Sequence, residues 1–324
     1  MNLENWNSCR LPAAIFFWKL CKTRKIGKLK TELIVRVKTM GIQIFADSAS
    51  DLPLSFFKEN HVHLIPLTVY VEDKSYDDLV GIDPKEVFRL IRAGVGTKTS
   101  QPSPQYFEKL FTDLAKSGDT GIYLAFSSEL SGTYQTAAMI AEQVKEACPD
   151  LDLTVLDTKC ASIGYGLVVK AAADLRKNGA GKEEIVRDAA FRSKHMEHIF
   201  TVADLDFLAR GGRLSKTSAF FGGLLNIKPI LDVEDGKLIP IEKIRGRKKL
   251  LHRMLDIMEK RGTDLEHQLV GICHGDDEAA AEEMKQLIEA RFGTKQFLIN
   301  TIGAVIGSHA GPGTISVFFL NELP

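Results

Sequence analysis

Tryptophan is scarce in this 324-residue chain, with Trp6 and Trp18 its only two, and cysteine is sparse and odd in number. Cys9, Cys21, Cys148, Cys160 and Cys273 stand far apart with no CxxC among them, which fits reduced thiols in a cytoplasm better than a disulfide framework. Net charge is absent too: 42 Lys and Arg offset 42 Asp and Glu, so no global field draws the chain to nucleic acid or to an anionic membrane. No apolar run reaches the roughly 18 residues that a membrane helix needs. The longest early one, Leu11–Trp18, contains Pro12 and lacks a small-residue cleavage site, so it reads as neither anchor nor signal peptide.

Nucleotide and hydrolase signatures are also missing. "AGVGTKTS" (93–100) fails the GxxxxGK[ST] spacing and follows no strand directly, no GxGxxG opens a helix after the first strand, and "IGSHAG" puts glycine beside serine where a nucleophile elbow would need GxSxG. The best metal-like cluster, His195 and His198 in "HMEH", has no third ligand at a suitable spacing, so a solvated helix face is the better account. His61 and His63 would point to opposite faces of a strand.

The balanced charge hides an asymmetry. Residues 1–39 hold nine Lys or Arg against Glu4 and Glu32, and folded-domain patterning begins at Met40. We read residues 1–39 as an extra basic N-terminal segment, either disordered or upstream translation, with Met40 as the natural start. Length alone favours two domains in the remainder.

From Gly41 the chain alternates short β-rich runs with segments of helical period, as α/β units on a mostly parallel sheet do. Strands are expected at 42–48, 63–71, 121–127 and 151–157. Asp83 with Pro84 and Glu86, and Ser103 with Pro104, mark two helix starts. Further helices are expected at 132–147, 162–177 and 182–196. These elements make a first domain over residues 40–197. Beyond it, "IKPILDVEDGKLIPIEKI" reads as a hairpin about Glu234-Asp235-Gly236. Strands in "QLVGICH", "QFLINTIG" and "TISVFFL", with a helix over 277–292, complete a second, two-layer α/β domain over 198–324.

Three junctions of the first domain, "ADSASDLP" (46–53), "TKTSQPSPQ" (97–105) and "SSELSGTYQTA" (127–137), are rich in hydroxyls and turn residues. Loops at the carboxyl ends of parallel strands line the ligand crevice and lead into helix N-termini, so a small anion held by hydroxyls and amides is expected there. Single Ser residues before a helix are commonly caps, which would explain Ser50, Ser103 and Ser131, but Thr99 stands four positions before Ser103 and needs another account. Arginines gather in "ARGGRLS" (Arg210, Arg213) and "KIRGRKK" (Arg245, Arg247). Near the C-terminus, "IGSHAGPGTIS" (306–316) sets His309 in what reads as a flexible glycine turn.

Together these stretches resemble the DegV family of bacterial lipid-binding proteins, which includes the fatty-acid-binding subunits of fatty acid kinase. "DSASDLP", "TSQPSP", "SSELSGTYQTA", "LARGGRLS", "IKPIL…GKLIPIEKIRGRKK" and "IGAVIGSHAGPGTISVFF" occur in the family's order between Gly41 and Leu320. Ala49 departs from the family's usual threonine, and residues 1–39 have no counterpart. The resemblance implies a two-domain DegV-like α/β fold: an N-terminal three-layer α/β/α unit with a mostly parallel sheet and a C-terminal two-layer α/β unit with a mixed sheet. It also implies a cytoplasmic, non-enzymatic carrier of one long-chain fatty acid such as palmitate, stearate or oleate, with no cofactor or metal, no nucleic acid and at most transient membrane contact. By similarity Thr99, Ser131 with Gly132, and His309 hold the carboxylate. Ser100 and Arg213 belong to a polar network near the head group, and Arg245 meets the ATP-binding subunit of a fatty acid kinase, which phosphorylates the presented carboxylate. Glycines 307, 311 and 313 would let the backbone approach that head group. The alternative is an enzyme acting on a small anion, a sugar phosphate or keto acid, in the same crevice; the missing acid/base carboxylate pair counts against it.

Overall fold

The computed structural model describes residues 41–214 and 227–324. The basic N-terminal segment, Met40, Cys9 and Cys21 lie outside the described residues. The first half of the chain runs β1 (Ile42–Asp47), α1 (Leu54–Glu59), β2 (Val62–Ile65), β3 (Thr68–Val71), β4 (Lys74–Asp77), α2 (Pro84–Arg92), β5 (Thr97–Ser100), α3 (Pro104–Ser117), β6 (Thr120–Ala125), α4 (Thr133–Ala147), β7 (Asp152–Asp157), α5 (Ser162–Lys177) and α6 (Lys182–His195). Then follow β8 (Met196–Thr201), α7 (Asp206–Arg210), β9 (Ile227–Glu234), β10 (Lys237–Arg245), α8 (Arg247–Arg261), β11 (Leu269–His274), α9 (Glu278–Phe292), β12 (Gln296–Thr301), α10 (Ala304–Ala310) and β13 (Ile315–Leu320).

β2, β1, β6 and β7 lie side by side in that order, all parallel. Such a sheet is covered on both faces, so its strands carry apolar residues in either direction. β1 shows how: Ile44 and Ala46 join a core with Tyr165 and Val168 of α5 and Ile185 of α6, while Phe45 packs with Phe107 and Phe111 of α3 and Val144 of α4. The starts of α2 and α3 follow local chemistry. Asp83 Oδ1 accepts from Lys85 N–H at 2.9 Å, and Ser103 Oγ accepts from Tyr106 N–H at 3.2 Å. Glu86 does not return to the cap; it pairs with Arg89.

The second sheet has the order β10-β9-β8-β13-β11-β12. Only β11 and β12 pair in parallel; the other neighbours are antiparallel. Ile199, Val317 and Phe319 pack on Met254 of α8 and Met284 of α9. From the opposite face Phe318 joins the core built on α5, and Phe200 packs with Leu208 and Ala310.

A third, three-stranded antiparallel sheet, β4-β3-β5, departs from expectation. The run 63–71 is two strands in two sheets, divided at Pro66, which has no N–H to give a ladder. Thr97–Ser100, expected as a loop, is β5 and pairs with β3 through Thr99 opposite Val69. The glycine-rich stretch near the C-terminus is likewise no flexible turn: residues 304–310 form α10, packed against α2, α7 and this small sheet.

Candidate functional site

Between the two larger sheets lies a cavity of about 320 Å³, within the size range of small-molecule sites. Its walls are mostly apolar and include Leu67, Phe126, Leu130, Phe200, Leu208 and Phe318. β8 and β13 supply two tiers of wall, with Phe200 opposite Ser316 and His198 opposite Phe318. His198 offers the cavity no proton. Its Nε2 accepts the Ala161 N–H at 3.2 Å, so the ring proton sits on Nδ1, which donates to the Met196 carbonyl at 3.0 Å. Burial holds this imidazole near pKa about 4 and therefore neutral.

Polar side chains gather where β5, α4, α7 and α10 converge, and they close into a ring. Thr99 Oγ1 and His309 Nε2 share a hydrogen bond at 2.7 Å. His309 sits against Gly211, where an added Cβ would lie 2.2 Å from Nδ1, so only glycine lets that turn approach the ring. Arg213, two residues on, donates from Nη1 to the Gly211 carbonyl at 2.5 Å and from Nε to the Leu130 carbonyl at 3.0 Å. Leu130 leads into Ser131 and Gly132. Gly132 faces Gln101, whose Oε1 occupies the place of a missing Cβ, and Gln101 adjoins Ser100 and Thr99 in the chain. The loop carrying Ser131 is itself tied to the β9–β10 hairpin by Ser127 Oγ donating to the Gly236 carbonyl at 2.9 Å.

Within this ring the charges are unequal. Burial, and second the Arg213 guanidinium, push the His309 pKa down to about 4, so its imidazole is neutral at physiological pH. Among the described residues that line the cavity, Arg213 is the one permanent charge. The arrangement therefore suits a ligand with one anionic end, hydroxyl and imidazole partners around it, and an apolar body.

Six of the seven sequence-selected residues, Thr99, Ser100, Ser131, Gly132, Arg213 and His309, line this one cavity. Arg245 does not: it lies exposed at the end of β10. Ser131 also keeps a helix-start contact, accepting from Thr133 N–H at 3.3 Å. Two of the glycines near His309 act differently from expectation, because the space of a Cβ at 307 is filled by Phe88 and at 311 by Phe207. They permit helix packing rather than approach to a head group. Gln101 escaped the sequence argument although it sits inside "TSQPSP"; its Nε2 donates to Thr136 Oγ1 at 2.5 Å. His195 and His198 are separated: His195 Nδ1 lies 2.9 Å from Asn321 Oδ1, and His198 is buried in the cavity wall rather than solvated. Among the described residues no group of three His, Cys, Asp or Glu could hold a metal ion, and no helix is long and apolar enough to cross a membrane. Cys148, Cys160 and Cys273 are free thiols.

A family model for DegV-family proteins, described as uncharacterised, matches residues 41–322. A DegV domain-containing protein of Clostridium perfringens is 39% identical over 282 residues, covering 86% of this chain and 97% of that protein. A fatty acid-binding protein of Thermotoga maritima is 34% identical over 287 residues, covering 85% of this chain and 96% of its own. Among solved structures, a DegV family protein from Thermus thermophilus described by its fatty acid binding superimposes with a TM-score of 0.76 at 32% identity, covering 86% of this chain and 99% of that one.

Proposed function

The chain belongs to the DegV family, and on that premise we propose that it is a non-catalytic carrier of one long-chain fatty acid. The observation that carries this reading is a single guanidinium, Arg213, set with hydroxyls and a neutral imidazole in a mostly apolar cavity. A relative and a solved structure described as fatty acid-binding support it.

In this account the acyl chain lies along the wall of β8 and β13 between two lobes, residues 40–197 and 198–324. Each buried methylene contributes about 0.8 kcal/mol, so the tail supplies most of the affinity. The carboxylate meets the ring: Thr99 and Ser131 donate hydroxyl protons, His309 Nε2–H donates to Thr99 Oγ1 and so frees the Thr99 proton for the ligand, the Gly132 amide completes the partners, and Arg213 balances the charge with Ser100 as a polar neighbour. Exposed Arg245 serves an ATP-dependent fatty acid kinase in the cytoplasm, which phosphorylates the presented carboxylate. Enclosure then keeps the acyl-phosphate from water. Purified protein, denatured and extracted into organic solvent, yields close to one equivalent of fatty acid by mass spectrometry. A stably folded protein that is empty and also takes up neither oleate nor palmitate overturns the reading.

A further inference from the structure

His309 is carried by a helix of only seven residues, α10, too short to hold its own position in water. What fixes it is found in a remote part of the chain. Asp51 Oδ1 accepts the Gly303 N–H at 2.9 Å and Asp78 Oδ1 accepts the Ala304 N–H at 3.0 Å, so two carboxylates from the first third of the sequence take successive amides at the helix start. Both carboxylates are wholly buried, at 0% exposure.

Asp51 does more than cap. Its Oδ2 is hydrogen-bonded to Ser162 Oγ at 2.5 Å, at the start of α5, and lies 3.8 Å from Cys273 Sγ, in β11. Its carbonyl accepts from Asn300 Nδ2 at 2.6 Å, near the end of β12. Asp51 and Ser162 both adopt positive φ, 51° and 53°, backbone states that non-glycine residues occupy at a cost of order 1–3 kcal/mol when surrounding contacts enforce them. One side chain thus joins the loop after β1, the start of α5, the mixed sheet and α10.

Burying two carboxylates beside each other is unfavourable, and burial raises both pKa values, Asp51 to about 8 and Asp78 to about 6. Ordinary helix capping needs no such arrangement; half-exposed Asp277 caps α9 by accepting from Ala280 N–H at 3.0 Å. The far end of α10 is held as well, with Thr314 Oγ1 donating to the Ala310 and Gly311 carbonyls. His309 lies six residues from Gly303, roughly 9 Å along the axis, so a displacement at the anchor is transmitted to the ring.

We propose that Asp51 and Asp78 are positioning residues that fix α10 and thereby hold His309 against Thr99 and the ligand head group. This rests on the fatty-acid reading of the cavity. The test measures retention of cis-parinaric acid, displaced by palmitate, alongside thermal unfolding of the full chain. Asp51→Asn and Asp78→Asn, isosteric changes, are expected to weaken retention about tenfold, while Asp277→Asn and Asp83→Asn leave it unchanged. In a His309→Ala background the same two changes lose their effect on retention, falling below about twofold. Asn300→Ala, which loosens Asp51 through its carbonyl, serves where Asp51→Asn does not fold. Retention unchanged in folded Asp51→Asn and Asp78→Asn, or an equal loss with and without His309, overturns the proposal. Failure of the wild-type protein to bind the probe instead sinks the fatty-acid reading.

Discussion

Asp51 makes stability depend on pH in a direction opposite to that of most carboxylates. Burial, opposed by its hydrogen bonds and reinforced by the nearby Asp78 charge, lifts its pKa from 3.8 to about 8. The folded protein therefore keeps a proton that the unfolded chain has released, and stability falls as pH rises from near 4 to near 8. Each pH unit in that window costs about 1.4 kcal/mol, so between pH 5 and pH 8 the loss from this one group is roughly 4 kcal/mol. Other groups titrate over the same range with opposite sign. His198 and His309, held to about 4, lose stability as pH falls from their ordinary value of 6.5 toward 4. Subtracting one protein from another removes these shared contributions. Urea unfolding of wild type and Asp51→Asn at pH 5, 6, 7 and 8 should show the variant gaining roughly 4 kcal/mol relative to wild type across the series. A difference that stays flat with pH would refute the reasoning, because it would mean that Asp51 titrates in the folded protein as it does in the unfolded chain.

Thr99→Val and Ser131→Ala should each weaken fatty acid retention by about 1.5–3 kcal/mol, the worth of a hydrogen bond to a charged group; probe displacement that matches wild type removes that residue from the head-group site. Gly211→Ala puts a Cβ 2.2 Å from His309 Nδ1 and is expected to displace the ring and reduce retention as His309→Ala does, with unfolding temperature read in parallel. Arg245→Ala should leave extracted lipid at the wild-type amount while lowering acyl-phosphate formation by the kinase, measured by transfer from labelled ATP. Equal emptying of the cavity by Arg245→Ala and Thr99→Val would abolish the distinction between partner and ligand residues.

Much of the fold was legible wherever the determinant is local. Asp83 and Ser103 announce helices because an N-cap needs only its own side chain and an amide two or three residues on. Glu234-Asp235-Gly236 announces the β9–β10 hairpin because Asp235 and Gly236 both take positive φ. β5 escaped because "TKTS" shows no apolar alternation; its strand state comes from pairing with β3, made elsewhere in the sequence. α10 escaped for the opposite reason. Glycine-rich composition signals a turn by local rules, yet Gly307 is required where Phe88 leaves no room for a Cβ, so packing overrides propensity. The ring around His309 was visible only as separate motifs, and its closure through Gly211 and Leu130 depends on loops that meet in space. Asp51 was the least legible of all. In "DSASDLP" it reads only as one residue of a turn-rich junction, and nothing local reveals that β11, α5 and α10 enclose it.

In the proposed carrier, neutral His309 and charged Arg213 divide the work at the head group. A neutral imidazole shares a hydrogen bond with Thr99 and adds no charge, whereas the charge balance of a buried carboxylate falls to the guanidinium. Arg213 suits that role because two backbone carbonyls, of Gly211 and Leu130, already orient its Nη1 and Nε, so little side-chain freedom remains to be lost on binding. One guanidinium balances one carboxylate. In the proposed kinase reaction an acyl-phosphate brings additional negative charge to the same place with no second cation among the described lining residues, so those residues suit the acid better than the product. The apolar wall along β8 and β13 must then keep the product bound until transfer. In this division the tail governs retention, and the ring governs which chemical form of the head group is retained.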